Sequence, residues 1–386
     1  MVLCLTLAGS SAFAVAAGPA SASSARRPSP TPLQADLDGL VAIGVPGAML
    51  FTRDGTRTTR VVSGYGELAT ATPMRPDDHF KIASLTKTYT ATAMLQLVQR
   101  GRVRLTDNVE RWLPGLVPNG RNITVRHLLS HTSGLFDYEA DPRFIAPYLA
   151  GDLGFYWAPR ELIALANSHP PLFPPGETDI AVYSNTNYVL AGLIIEAATE
   201  RELSDVFRHQ LFGPLRLRET SYQTEPGMPV PYAHGYLQLG APPSLDVTAI
   251  SPSLTHAAGA IVSTAEDVAD FYRALLSGRI LSRALLREMK TTLSEGTRVD
   301  IAGQRYGLGL ESFPTSCGRL AWGHNGVIPG YLTFIFSSTD GERQALLMVN
   351  HAATTAPPST GPAFFALIDK VFCTIGASHH GSDDTA

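Results

Sequence analysis

Hydrophobic residues recur with a helical period in some parts of the chain and with a strand period in others, and these periods predict its elements. The segment 34–41 has apolar residues at helical spacing. The segments 47–51 and 60–63 have the pattern of strands, and Asp54-Gly55 between them is a strong hairpin-turn signal. The fold is therefore predicted to begin with a helix followed by a β-hairpin.

The middle of the chain is predicted to be mainly helical. Helical patterns cover 84–99, 124–131 and 186–198. Gly101 ends the first of these helices. Ser263 and Glu266 form a capping box before a further helix, which ends near Gly278.

Strand patterns return late in the chain. They cover 306–310, 320–322, 331–337 and 344–349. Asp340-Gly341 is a second hairpin turn, and 362–371 is predicted to be the last helix. Because strands lie at both ends, we expect an α+β fold. One antiparallel sheet is built from the N- and C-terminal strands and flanked by helices, with an inserted, mainly helical lobe. A cleft between two lobes is a common place for a small-molecule site.

The first 22 residues are predicted to be a signal peptide. Residues 2–17 form a short apolar run, and Ala20-Ser21-Ala22 is an A-x-A cleavage site, although no Lys or Arg precedes the run. A buried N-terminal helix is the alternative. The predicted organisation is a signal peptide (1–22), a flexible lead (23–32), one domain (33–376) and a disordered tail (377–386). Within the domain, an α/β lobe comprises 33–83 and 300–376, and a helical lobe comprises 84–299.

The cysteines fit an exported protein. Removal of the signal peptide takes Cys4 away and leaves Cys317 and Cys373, an even number. We therefore predict a secreted, extracellular protein with a disulfide between these two cysteines. Two inert buried thiols are the alternative.

Composition narrows the class of protein. The chain has 386 residues, of which 44% are hydrophobic and 17% charged, so a sizeable core is expected. The net charge is −4 and there is no polybasic run, which argues against a nucleic-acid partner. No stretch of 18 apolar residues follows the N-terminal region, so no membrane span is predicted.

The first pattern with chemical meaning is Ser84-Leu85-Thr86-Lys87, at the start of a predicted helix. Residues three apart on a helix share a face, so the lysine can reach the serine hydroxyl. Serine is a weak nucleophile until a base takes its proton, and the N–H groups of a first helical turn can stabilise an oxyanion. The chain has only four lysines, yet the pattern alone is weak, and a helix cap beside a surface lysine is the alternative.

Two further patterns follow in the chain. In Tyr183-Ser184-Asn185, the phenol can shuttle a proton and the amide can bind a substrate carbonyl and fix the lysine. In His324-Asn325-Gly326, the glycine removes a side chain, so that a substrate backbone can lie along the strand edge. Each is weak by itself, because an ordinary loop explains the first and a second His-x-Gly occurs in the tail.

Competing chemistries have less support. The chain contains no G-x-S-x-G, the nucleophile motif of α/β-hydrolases. His127 and His131 are spaced as metal ligands on one helix face, but the glutamate of H-E-x-x-H is missing. Gly307 and Gly309 lack the following helix of a dinucleotide loop. We therefore expect neither a metal nor a cofactor.

The three patterns in this order resemble the serine β-lactamase and penicillin-recognising D-alanyl-D-alanine peptidase superfamily. The similarity is greatest to secreted actinomycete carboxypeptidases and to class C-like lactamases and esterases, and it runs from about Gly39 to Cys373. Further stretches resemble the family: LLSHTSGL (128–135), YSNTNYVLAGLIIE (183–196), HAAGAIVSTAEDV (256–268) and YGLGL (306–310).

The resemblance implies catalytic roles for four residues. Ser84 is expected to be the acylated nucleophile, and Lys87 to deprotonate it directly or through Tyr183. Tyr183 is expected to protonate the leaving group and later to activate water. His324 occupies the strand position where relatives carry Lys or His, and it is expected to bind or charge the tyrosine side of the site.

The resemblance also implies substrate contacts. Asn185 is expected to hold the substrate amide, and the N–H groups of Ser84 and Val327 to form the oxyanion hole. Asn325 and Gly326 complete this stretch of strand. Asn325 and Val327 stand where relatives usually have hydroxyl residues.

Position 311 departs from the family pattern. The actinomycete carboxypeptidases have a basic residue there, which receives the terminal carboxylate of the substrate, whereas this chain has Glu311. Like charges repel, so a free C-terminal D-alanine is expected to bind worse here. Glu311 could instead bind a substrate amine, as a D-aminopeptidase needs, or point to solvent.

The leading hypothesis is a secreted serine hydrolase of the D-alanyl-D-alanine carboxypeptidase type, without a cofactor. The alternatives of the same fold are a β-lactamase, a D-aminopeptidase or an esterase for small esters. A non-catalytic penicillin-binding or sensing module is the alternative of another class. The expected partner is a small-molecule or peptide substrate, and we expect a monomer.

Overall fold

The computed structural model describes residues 31–238, 244–296, 302–353 and 360–375. The predicted signal peptide, all but the last two residues of the lead, and the predicted tail lie outside the described residues. In the described part, none of the helices has both the length and the apolar character needed to cross a membrane.

The described helices confirm the predicted helical segments. The α-helices are α1 (Pro32–Ala42), α2 (Thr86–Gln99), α3 (Val109–Trp112), α4 (Val125–Leu129), α5 (Pro142–Leu149), α6 (Pro159–Asn167), α7 (Asn185–Thr199), α8 (Leu203–Phe207), α9 (Gly213–Leu215), α10 (Ala265–Leu276), α11 (Arg283–Met289) and α12 (Thr360–Thr374). Short 3₁₀ turns span Ala83–Leu85, Tyr138–Ala140, Pro252–Leu254 and His256–Ala258, and a π-helical turn spans Arg208–Phe212.

The described strands lie mainly at the two ends of the chain. They are β1 (Gly47–Asp54), β2 (Arg57–Glu67), β3 (Thr72–Pro73), β4 (Phe80–Lys81), β5 (Ile180–Ala181), β6 (Ser221–Tyr222), β7 (Tyr236–Gln238), β8 (Leu245–Asp246), β9 (Ile261–Ser263), β10 (Leu293–Glu295), β11 (Arg305–Tyr306), β12 (Glu311–Pro314), β13 (Leu320–Ile328), β14 (Tyr331–Ser337), β15 (Arg343–Val349) and β16 (His351–Ala353).

Ten of these strands form one sheet, in the order β3-β2-β1-β15-β14-β13-β12-β11-β10-β5. The N-terminal hairpin pairs with the C-terminal strands through the antiparallel β1–β15 pair, in which Leu50 lies opposite Leu347. The short pair between β5 and β10 is parallel. The α+β class and the predicted sheet are thus confirmed.

The sheet separates two hydrophobic cores, because successive residues of a strand point to opposite faces. Leu50 and Leu347 face the core that also contains residues of α1 and α12. Met49 and Met348 face the larger core shared with the helical part of the chain. Helix α10, which lies in the predicted helical lobe, packs against this second face of the sheet.

Two local predictions were wrong. The N-cap of α10 is Thr264, whose side chain accepts the N–H of Asp267, while Ser263 ends β9 and bonds to Thr220 instead. Residues 306–310 are not a continuous strand, because the chain turns after β11 and Gly309 has φ +72°. A side chain at Gly309 would collide with α2, with its Cβ 2.9 Å from the carbonyl oxygen of Lys87.

The sulfurs of Cys317 and Cys373 lie 2.07 Å apart, at bonding distance. Cys317 lies in the turn between β12 and β13, and Cys373 lies near the end of α12. The predicted pair is therefore in position to form a disulfide, which a chemical test described below can establish.

Candidate active site

Ser84 lies in a 3₁₀ turn that leads directly into α2. The preceding strand β4 pairs with β9, which fixes the chain as it enters the turn. Ala83 has φ +52°, a left-handed conformation that costs a non-glycine residue energy and often occurs at functional sites. The Ser84 side chain is 8% exposed, so its hydroxyl lies at the edge of the interior.

Lys87 is completely buried beneath Ser84. Its Nζ lies 3.0 Å from Ser84 Oγ, 2.6 Å from Asn185 Oδ1 and 3.0 Å from the carbonyl oxygen of Ala258. The last two atoms can only accept hydrogen bonds, whereas the serine hydroxyl can either donate or accept. The amine is therefore fixed by two acceptors and directed at the serine.

Asp137 sets the orientation of the Asn185 amide. Its carboxylate accepts the backbone N–H of Asn185 at 3.1 Å and the side-chain NH₂ at 3.2 Å. Since the NH₂ end faces the carboxylate, the amide oxygen faces Lys87. Burial raises the pKa of Asp137, and this shift is opposed by the N–H of Glu139, the charge of Lys87 and the bonds from Asn185.

Tyr183 lies beside the same lysine. Lys87 Nζ is 4.8 Å from the centre of the Tyr183 ring, within cation–π distance. The ring packs against those of His131 at 4.3 Å and Tyr306 at 5.9 Å. The structure thus places Ser84 and Tyr183 each next to Lys87, and their catalytic roles stay predictions.

His324 lies on β13, on the face of the strand that is turned toward Ser84. Its Nε2 is 3.3 Å from the Tyr306 hydroxyl and 3.7 Å from Glu311 Oε1. Its Nδ1 faces the backbone oxygen of Asn325. Both His324 and Glu311 have no exposed surface, so this pair is fully buried.

Gly326 allows β13 to approach the Ser84 turn. A Cβ at this position would lie 2.5 Å from the carbonyl oxygen of Ile82 and 3.0 Å from the backbone nitrogen of Ser84. Contacts this short are excluded, so any side chain would push the strand away from the nucleophile. The sequence analysis related this glycine to the substrate backbone, but its nearest neighbour is the backbone of the protein itself.

Within the described residues, no strand pairs with this edge of β13 beyond Gly323, because β12 begins at Glu311 opposite that residue. Alternate N–H groups of a strand point to the same side. The N–H of Asn325 on this side is bonded to the Glu311 carboxylate at 3.0 Å, so the N–H of Val327 points to the open edge beyond it. This is the position that an oxyanion donor needs.

Three predicted binding residues differ in their surroundings. Glu311 does not point to solvent, since its carboxylate is buried against Asn325 and His324. Asn325 is 3% exposed and pairs with Phe334, so its side chain lies on the face opposite to His324. Val327 is 46% exposed. Contacts of these side chains with a substrate remain predictions.

The two histidines at metal-ligand spacing have structural contacts. The ring nitrogen of His127 accepts the N–H of Thr124, as part of the capping box of α4. His131 is buried, accepts the N–H of Ser184 and packs against the Tyr183 ring in a tilted arrangement. Among the described residues, no group of acidic, histidine and cysteine side chains is suited to a metal ion.

Sequence reasoning missed Asp137, Tyr306 and the carbonyl group of Ala258. Asp137 follows the quoted segment LLSHTSGL by two residues, and Ala258 lies in the quoted segment HAAGAIVSTAEDV, so both were close to recognised patterns. A backbone carbonyl carries no residue-type signal, however. Tyr306 belongs to the quoted YGLGL, which was interpreted as a strand.

Comparisons with known proteins agree with this geometry. The Beta-lactamase family model matches residues 33–367. Penicillin-binding protein 4* of Bacillus subtilis is 29% identical over 318 residues, which are 76% of this chain and 65% of the relative, just under two thirds of its length.

Two solved structures have similar folds and related chemistry. A D-stereospecific amidohydrolase from Streptomyces sp. is 39% identical, with a TM-score of 0.76 over 83% of this chain and 93% of that one. The D-amino acid amidase from Ochrobactrum anthropi SV3, complexed with D-phenylalanine, is 31% identical, with a TM-score of 0.80 over 90% and 98% of the two chains.

The chain therefore belongs to the Beta-lactamase family. It is a serine hydrolase with the fold shared by β-lactamases and penicillin-binding proteins.

Proposed function

We propose that the protein hydrolyses the amide bond that follows a D-amino acyl group, through an acyl-enzyme on Ser84. The observation that carries this proposal is the 3.0 Å contact between Ser84 Oγ and the buried Lys87 Nζ. To act as the base, Lys87 must first be neutral, and a neutral lysine has two N–H groups and one lone pair. Asn185 Oδ1 and the carbonyl oxygen of Ala258 accept hydrogen bonds from the two N–H groups. The lone pair is then left to take the serine proton.

The reaction takes place in two halves. Ser84 Oγ attacks the substrate carbonyl while its proton passes to Lys87, directly or through Tyr183. The C–N bond then breaks, the leaving amine takes that proton, and an ester on Ser84 remains. Water next attacks the ester and gives a proton to the same base. The bond between the acyl carbon and Ser84 Oγ breaks, Oγ takes that proton from the base, and the acid is released.

The developing oxyanion has two candidate donors. The N–H of Val327 points to the free edge of β13, and the nitrogen of Ser84 lies beside Gly326 of the same strand. Such donors contribute about 3–4 kcal/mol each where they have been measured in hydrolases. Their positions depend on the close approach of β13 to the Ser84 turn.

Two findings favour an amide of a D-amino acid over a peptide with a free C-terminus. The similar structures include a D-stereospecific amidohydrolase and a D-amino acid amidase. In addition, position 311 holds a buried carboxylate. In the carboxypeptidases that the chain resembles, a basic side chain at this position binds the terminal carboxylate of the substrate.

The D-alanyl-D-alanine carboxypeptidase is the second candidate, and similarity to a penicillin-binding protein favours it. Its chemistry is the same acyl transfer with a different leaving group. The β-lactamase and esterase alternatives use the same acyl-enzyme. We further propose that the protein acts outside the cell, supported by the apolar run at 2–17 and by the closely placed sulfurs of Cys317 and Cys373.

A substrate panel tests the proposal. It compares kcat/KM for D-alanine amide, L-alanine amide, an acyl-D-Ala-D-Ala peptide, nitrocefin and a short ester. We expect the D-amide to exceed the L-amide by about 100-fold or more, and to exceed the acyl-D-Ala-D-Ala peptide. A higher kcat/KM for the peptide would establish the carboxypeptidase instead, and a higher value for nitrocefin a β-lactamase.

A further inference from the structure

The catalytic centre contains two buried basic side chains, Lys87 and His324, and each has a carboxylate near it. Lys87 is linked to Asp137 through Asn185. His324 lies beside Glu311, with Nε2 and Oε1 3.7 Å apart. The mechanism proposed above uses the first group directly but gives no part to Glu311.

The contacts of His324 indicate its protonation state. Nδ1 faces the backbone oxygen of Asn325, which can only accept a hydrogen bond, so Nδ1 carries a proton. Nε2 faces the Glu311 carboxylate and the hydroxyl of Tyr306. The Tyr306 hydroxyl donates its proton to Tyr188, so its oxygen can accept a hydrogen bond from Nε2. Acceptors at both nitrogens favour the doubly protonated imidazolium.

The described tyrosines near His324 and Glu311 do not supply a negative charge. Burial raises the pKa values of Tyr188 and Tyr306 well above the ordinary range, so both phenols stay neutral. Burial also raises the pKa of Tyr272, and the negative charge of Glu311 raises it further. The ring of His131 packs against Tyr306 at 4.5 Å.

Lys87 completes these surroundings, because it lies against the rings of Tyr183 and Tyr188. Tyrosine rings therefore lie between the two basic side chains. Glu311, from β12, is the anion that faces the imidazole.

We infer that Glu311 is a positioning residue for acyl transfer. One carboxylate oxygen holds the N–H of Asn325, which keeps the edge of β13 in register and leaves the N–H of Val327 for the substrate. The other oxygen holds His324 as an imidazolium. This inference rests on the proposed acyl-enzyme chemistry and replaces a direct contact between Glu311 and the substrate.

The charge on His324 matters because of where Tyr183 lies. The rings of His324 and Tyr183 both pack edge-on against Tyr306, at 5.7 Å and 5.9 Å. A positive charge at this depth, shielded from water, favours the phenolate form of a neighbouring tyrosine. Glu311, by holding the charge on His324, thus increases the share of Tyr183 that is present as the proton-accepting phenolate, without touching the substrate.

The test compares Glu311→Gln with Glu311→Asp. Glutamine keeps a hydrogen-bond acceptor for the N–H of Asn325 but has no negative charge. Aspartate keeps the negative charge but has a side chain one methylene shorter. For Glu311→Gln we expect kcat/KM at pH 8 to fall about 10- to 100-fold, and the alkaline limb of the pH profile to move down by about one pH unit. For Glu311→Asp we expect a lower kcat with the alkaline limb unmoved. Equal losses at every pH in both variants, with the limb unmoved, would show a purely structural role.

A measurement on the unmodified protein covers the case in which Glu311→Gln does not fold. The ring nitrogens of ¹⁵N-labelled histidine are observed by NMR, and His324 is assigned by the signal lost in His324→Gln. We expect both nitrogens of His324 to carry protons at pH 7.5. A neutral ring at that pH overturns the inference. Because this experiment uses no substrate, its failure is distinct from failure of the proposed function.

Discussion

Lys87 Nζ lies closer to Asn185 Oδ1, at 2.6 Å, than to Ser84 Oγ, at 3.0 Å. The oxygen of the Asn185 amide therefore accepts a hydrogen bond from the lysine. One N–H of the same amide is bonded to Asp137. What Asn185 can offer a substrate is its second N–H, a donor for a carbonyl group, which agrees with the role that the resemblance implies.

Asp137→Asn should slow turnover through the orientation of Asn185. The variant removes the carboxylate that selects which end of the amide faces Lys87, so we expect kcat to fall about 10- to 100-fold with a smaller change in KM. Steady-state kinetics and a melting curve check this. Asp141→Asn is the matched control, because Asp141 is another buried carboxylate but it caps α5 and pairs with Arg143 and His169. The control should lower Tm and leave kcat unchanged, and an unchanged kcat in Asp137→Asn would contradict the assigned role.

Gly326→Ala should separate the nucleophile from the free edge of β13. The new Cβ would lie 2.5 Å from the carbonyl oxygen of Ile82, so the strand must move away from the Ser84 turn. We expect the rate of acylation, measured with a fluorescent penicillin, to fall about 100-fold or more. Gly39→Ala is the control, since a Cβ at Gly39 meets nothing within 4 Å. Similar labelling rates for the two variants would show that the close approach is unimportant.

His256 should make the protein less stable in mild acid. Burial lowers the pKa of its imidazole to about 4, whereas an unfolded histidine titrates near 6.5. As pH falls from about 6.5 to 4, this histidine becomes protonated in the unfolded chain but stays neutral in the folded protein. The free energy of unfolding therefore falls, by up to about 3 kcal/mol. Denaturant unfolding at pH 7 and pH 5 measures this for wild type and His256→Asn, where asparagine suits the left-handed φ of +47°. The variant should lose less stability between the two pH values, and equal losses would contradict the prediction.

Cys317 and Cys373 should be joined in protein purified without reductant. Peptide mapping under non-reducing conditions should recover the two cysteine-containing peptides as one linked species. The cysteines are 56 residues apart, so closing this loop is expected to stabilise the fold by about 4 kcal/mol on the chain-entropy model. Reduction should accordingly lower Tm. Two free thiols in the mature protein would contradict both the disulfide and the argument for export that uses it.

The sequence predicted those parts of the site that depend on local patterns. Ser84 and Lys87 share one helical turn, so their contact follows from spacing alone. The β-hairpins followed from Asp54-Gly55 and Asp340-Gly341, because few residue pairs favour such turns. The order of the three patterns then identified the family.

Other parts could not be predicted because they depend on long-range packing. Gly326 faces the backbone of Ile82, more than 240 residues earlier in the chain, and no pattern near position 326 indicates that neighbour. The sequence analysis predicted that Glu311 contacts the substrate, because relatives bind the substrate carboxylate at this position. The structure gives it Asn325 and His324 as partners, and the register of β12 against β13 decides that contact.

The acyl-enzyme on Ser84 is the central claim, and mass spectrometry tests it most directly. Wild type and Ser84→Ala are incubated with a penicillin, quenched in acid and digested, and the peptide containing position 84 is analysed. We predict one added penicilloyl group on Ser84 in wild type and none on any peptide of Ser84→Ala. A penicilloyl group on another residue of wild type, or labelling that persists in the variant, would contradict the claim.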